Sequence, residues 1–125
     1  MLRLTGWLYT YPDIGVVCSK PKLLDRRKDT LLNPILLVEV LSHSTEGYDR
    51  VAKFGHYRTI ESLEEYTLVW QTAPRVEVYR RQPGGHWLLT ESIGLDAVCH
   101  FESVNVSVPL RENYDKISFD EETQP

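Results

Sequence analysis

Ile35-Leu36-Leu37-Val38-Glu39-Val40-Leu41 is apolar at every position but one. The run is bounded by Asn33-Pro34 on one side and Ser42-His43-Ser44-Thr45 on the other. Its length and continuity predict a strand buried on both faces and therefore central in its sheet. The exception, Glu39, raises the question of function. An ionised carboxylate taken out of water costs several kcal/mol unless it is paired, hydrogen-bonded or bound to a metal. Glu39 is thus either half of a structural ion pair or part of a site that uses its charge, and the residue alone does not choose between them.

Working outward, Ile14-Gly15-Val16-Val17-Cys18 is a short strand entered from Tyr11-Pro12-Asp13, where the proline holds the preceding residue extended. Residues 19–34 read as a loop closed by Asn33-Pro34. On the far side, Ser42 to Thr45 offer N-caps for a helix over residues 45–60, with Glu46 in its first turn. Tyr48, Val51, Ala52, Phe54 and Gly55 gather on one side of that helix, Asp49, Lys53 and His56 on the other. Packing is expected through Val51, Phe54 and Gly55, the glycine allowing close approach to the sheet. Residues 65–70 form the next strand, parallel to 35–41 through a right-handed crossover. Two alternating runs around Pro83-Gly84-Gly85 make a hairpin, residues 95–109 add one or two short strands, and 110–117 a helical turn or two. The expectation is one α/β domain over residues 1–118, a mixed β-sheet flanked by helices with a C-terminal β-hairpin extension, followed by an acidic tail over 119–125.

The 125 residues are 42% hydrophobic and 26% charged, the composition of a globular domain, and 18 Asp+Glu against 14 Lys+Arg give a net charge of -4. That balance excludes nucleic-acid binding driven by overall charge, but leaves open an acidic site that meets nucleic acid through a metal ion. Cys18 and Cys99 are too few for a disulfide scaffold or a four-thiolate zinc site; flanked by apolar residues, they are expected as buried free thiols in a reducing cytoplasm. No apolar run approaches the roughly 18 residues a membrane span needs, so a soluble, cytoplasmic protein without membrane partners is expected. His43, His56, His86 and His100 show no metal-site spacing, and Trp7, Trp70 and Trp87 read as core or interface residues.

Antiparallel pairing of strands 13–18 and 35–41 places Asp13 opposite residues 39–41, within about 5 Å between β-carbons for facing pairs. Two carboxylates so placed repel unless a divalent cation lies between them, and oxygen donors of this kind suit Mg²⁺. A one-residue slip would send the two side chains to opposite faces. Lys53 adds a cation on the helix after the Glu39 strand. It also lies four residues after Asp49, where an ordinary ion pair along the helix is the alternative.

Tyr11-Pro12-Asp13, Asn33-Pro34, Val38-Glu39-Val40-Leu41-Ser42, Ser44-Thr45-Glu46, Tyr48-Asp49-Arg50, Lys53-Phe54 and Tyr57 together resemble the Uma2 family, and the likeness runs from Tyr11 to Tyr114. The resemblance implies a restriction-endonuclease-like fold with a PD-(D/E)xK-type, metal-dependent phosphodiesterase site. By that likeness Asp13 and Glu39 are the catalytic acids and metal ligands, with the Val40 carbonyl as a third ligand. The triplet's lysine position is Leu41 here, and Lys53 matches the helix location to which the family's cationic role has moved. His43 stands where the family has proline. The family also carries an N-terminal region with a helix and an acidic residue, whereas twelve residues precede Asp13 here. A chain without that region is expected to cover its exposed apolar surface by homodimerisation.

Two functions follow as expectations. One is a Mg²⁺-dependent endonuclease (with Mn²⁺ as a substitute ion) that hydrolyses DNA through Asp13, Glu39 and Lys53. The other is a catalytically inactive nuclease-fold remnant serving as a binding or dimerisation module.

Overall fold

The apolar run forms the second strand of a five-stranded mixed sheet. The computed structural model describes residues 2–4, 8–10, 13–18, 20–21, 23–24, 27–31, 33–41, 52–115 and 117. Its elements are β1 (Leu2–Leu4), β2 (Leu8–Thr10), β3 (Ile14–Val16), β4 (Leu23–Leu24), β5 (Arg27–Leu31), β6 (Leu36–Leu41), α1 (Phe54–Tyr57), β7 (Glu65–Trp70), β8 (Arg75–Arg81), β9 (Trp87–Ile93), β10 (Val98–Phe101), β11 (Val106–Pro109) and α2 (Leu110–Asn113). The main sheet runs β3-β6-β7-β8-β9. β3 is antiparallel to β6, β6 is parallel to β7, and β7, β8 and β9 follow in antiparallel order. This is a mixed α/β fold with few helices among the described residues and a C-terminal hairpin, β10–β11.

One face of the sheet carries Leu37, Leu41, Tyr66 and Leu68, packed with Tyr57, Ile60 and Leu63 from α1 and the chain that follows it. Phe54 anchors α1 against three aromatic rings, 5.5 Å from Tyr66, 4.4 Å from Tyr79 and 5.2 Å from Trp87 between centroids. Arg81 ties the same segment down. Its guanidinium donates to the carbonyls of Arg58, Ile60 and Leu63 and lies 4.5 Å over the Trp87 ring. The opposite face packs Val76 and Val78 against Cys99, Leu110 and Tyr114.

Several expectations need correction. Strand β6 has neighbours on both sides, but its second face is covered only at one end. Leu37, Glu39 and Leu41 are buried on one face; on the other Leu36 is buried, Val38 half-buried and Val40 43% exposed, because the cover supplied by β10, β11 and α2 centres on β7 and β8. Residues 19–34 are not all loop: β4 and β5 pair with each other, and β5 runs parallel to β1 in a second sheet ordered β2-β1-β5-β4. A charged stretch such as Arg27-Lys28-Asp29 carries no apolar alternation, and its strand character comes from its pairing partners. A β-carbon added at Gly55 would meet nothing within 4 Å, so close approach does not require the glycine there. Cys99 is buried, but Cys18 is exposed, since β3 is a three-residue edge strand and Cys18 lies in a bend beyond its end. Ser42 to Thr45, Tyr48, Asp49, Val51 and the acidic tail lie outside the described residues. No described helix is long and apolar enough to cross a membrane.

Candidate functional site

Alternation along β6 turns Glu39 to the helix-covered face between Leu37 and Leu41, and only 3% of the residue is exposed. The β3–β6 register ends with Ile14 against Val38, and Asp13 lies in the bend one residue before β3, beside the Glu39–Val40 end of β6. The Asp13 carboxylate is fixed there: its Oδ2 accepts the Val40 backbone N–H at 2.6 Å. Asp13 itself is exposed, so its charge stays hydrated where the Glu39 charge does not.

Glu39 meets two side chains of one helical segment. The Tyr57 hydroxyl donates to Oε1 at 2.6 Å, and the Lys53 ammonium stands 3.5 Å from Oε2. Lys53 lies in a π-type turn with Ala52 at the head of α1, a local widening common at functional positions. Its side chain is 19% exposed, while Tyr57 is fully buried, its ring edge-on to Tyr66 at 5.1 Å. The structure thus brings Asp13, Glu39 and Lys53 to one end of β6, with the Val40 backbone between the two acids. The side of the helix read as polar is the side that reaches the carboxylate. Tyr57, noted in the sequence only as part of the family resemblance, is the partner that sequence reasoning missed. Its position four residues after Lys53, one helical turn on, was the available signal.

Two further buried carboxylates have structural partners. Glu77 shares a cross-sheet row with Glu39, Leu68 and Glu91. It accepts the Trp70 indole N–H at 3.2 Å and pairs with Arg75, which also bonds Glu91 and lies 5.0 Å over the Trp70 ring. Glu65, on the opposite face, accepts the backbone N–H groups of Glu102 and Ser103 and pairs with Arg80 at 2.9 Å. It borders an open cleft of about 460 Å³, three residues along the ladder from the level of Glu39. Among the described residues no group of three or more His, Cys, Asp and Glu is placed to hold a metal ion. Among the described residues the acids at this end of β6 are Asp13 and Glu39, fewer than a closed zinc cage needs.

Residues 2–108 match the Uma2 family, described as "Putative restriction endonuclease". The chain belongs to that family. Among curated relatives it is 43% identical over 98 residues to the uncharacterized protein sll1609 of Synechocystis sp., covering 78% of this chain and 55% of that one. It is 35% identical over 112 residues to the uncharacterized protein slr1290 of the same organism, covering 89% and 57%. The chain therefore spans little more than half the length of these relatives. No solved structure matches it.

Proposed function

We propose that this chain carries the core of a Mg²⁺-dependent endonuclease site of restriction-endonuclease-like fold that hydrolyses DNA phosphodiester bonds. The observation that carries the reading is the pairing of a buried carboxylate, Glu39, with Lys53 from the following helix, next to Asp13, whose carboxylate accepts the N–H of the adjoining Val40. Membership of a family described as restriction endonucleases supplies the reaction class. Asp13 and Glu39 hold the cation, with the Val40 carbonyl as a third oxygen donor. When bound, the ion supplies Lewis acidity and lowers the pKa of an attacking water. Lys53, the partly exposed partner, turns from Glu39 to the phosphate and stabilises the charge that develops there. Mn²⁺ serves as the calorimetric probe. Isothermal titration gives binding that is lost in Asp13→Ala, weakened but still measurable in Glu39→Gln, and kept in Lys53→Ala. Wild-type protein without a Mn²⁺ isotherm, or binding indifferent to Asp13, overturns the reading.

A further inference from the structure

We propose that Tyr57 is the positioning residue of this site: its phenol fixes Oε1 of Glu39 and thereby makes Oε2 the oxygen that the carboxylate offers to a divalent cation. The inference rests on the cation-binding reading of Asp13 and Glu39.

The contacts that Tyr57 and Lys53 make with Glu39 differ in kind. The Tyr57 bond, at 2.6 Å, has the length of a charge-assisted O–H···O⁻ contact, and its donor is fully buried. The Tyr57 ring is held by Tyr66 and by the core cluster of Leu37, Leu41, Ile60 and Leu63, so the hydroxyl has one place to be. The Lys53 contact, at 3.5 Å, is at the outer limit of a hydrogen bond, and its side chain reaches solvent. The phenol is the fixed partner and the ammonium the adjustable one. A glutamate carboxylate rotates easily about its last torsion, and a donor anchored in the core stops that rotation. Asp13 is treated alike, since the Val40 N–H holds its Oδ2 at 2.6 Å. Each acid is pinned through one oxygen by a donor that the fold itself places. Outer partners of this sort orient ligating groups, and their loss typically weakens metal binding by about 10–100-fold.

The test is a double-mutant cycle read by Mn²⁺ calorimetry, with melting of the metal-free proteins alongside. Tyr57→Phe keeps the ring and removes the hydroxyl. It is expected to bind Mn²⁺ about 10-fold or more weakly, and the double variant with Glu39→Gln to bind no more weakly than Glu39→Gln alone. A merely structural tyrosine lowers the melting temperature and leaves Mn²⁺ affinity at the wild-type value; that result, or additive losses in the cycle, overturns the proposal. Wild-type protein that takes up no Mn²⁺ overturns the cation reading itself, a distinct failure. Should Tyr57→Phe not fold, Glu39→Asp runs the test from the other side. It keeps the charge and withdraws it from the phenol, and unchanged affinity there contradicts the proposal equally.

Discussion

The Tyr57 hydroxyl and the Lys53 ammonium replace part of the water that the buried Glu39 carboxylate gives up. Breaking a wholly buried pair strands a charge at a cost of about 3–5 kcal/mol. Lys53 is not wholly buried, and a glutamine at position 39 still accepts the phenol. Glu39→Gln is therefore expected to lose about 1–2 kcal/mol in urea unfolding without metal. A loss above about 3 kcal/mol would mean that Lys53 cannot turn to solvent, and would count against its reaching a phosphate. Cys99 and Tyr114 offer a second test. Burial is the main cause that raises the Cys99 thiol above 9.0 and the Tyr114 phenol above 10.0. Both stay protonated in the folded protein after the unfolded chain has begun to release its protons. Their contribution is complete below the unfolded values and is lost as pH rises through the folded ones. Melting temperature is expected to fall above about pH 9, with a shallower fall in Cys99→Val. Equal slopes for the two proteins would remove the thiol from the account.

At the scale of elements, α1 is held by Phe54 and by the Arg81 clamp rather than by close approach at Gly55. Phe54→Ala is expected to cost about 2–4 kcal/mol, whereas Gly55→Ala, in a helix with open space around it, gains about 0.5–1 kcal/mol. Urea midpoints check both, and destabilisation by Gly55→Ala would contradict the open space. These elements also show what could be read from the chain. β6, β7 and the hairpin β8–β9 were legible because apolar continuity, alternation and Pro83-Gly84-Gly85 each carry a local signal. Glu39 was legible because it interrupts a run that has no other polar residue. Glu77 was not, because Arg75-Val76-Glu77-Val78-Tyr79 alternates like a half-exposed strand, and only the tertiary cover on both faces buries its polar side. β5 escaped for the converse reason: its pairing is written in the backbone, and its side chains look like loop. Tyr57 escaped because a tyrosine on an aromatic helix face reads as core, which it also is.

For the whole molecule, a chain of net charge -4 would meet the proposed DNA substrate only locally, through a cation and a few basic groups, which is the part proposed for the site at the end of β6. We propose that the protein works as a homodimer. In support, β9 lies at the edge of the five-stranded sheet, with Leu88, Leu89 and Ile93 each at least 41% exposed. Sedimentation at micromolar concentration is expected to give twice the monomer mass, and a lone monomer would dismiss the dimer without touching the site. The central claim concerns Asp13, Glu39 and Lys53 as one cation-dependent phosphodiesterase site. The most direct measurement is cleavage of supercoiled plasmid by the wild type, Glu39→Gln and Lys53→Ala in Mg²⁺ or Mn²⁺. The account predicts cleavage by the wild type that is abolished in both variants and by chelation. A folded wild type that leaves the plasmid intact with either ion, or cleaves it as fast without Glu39, would contradict the account.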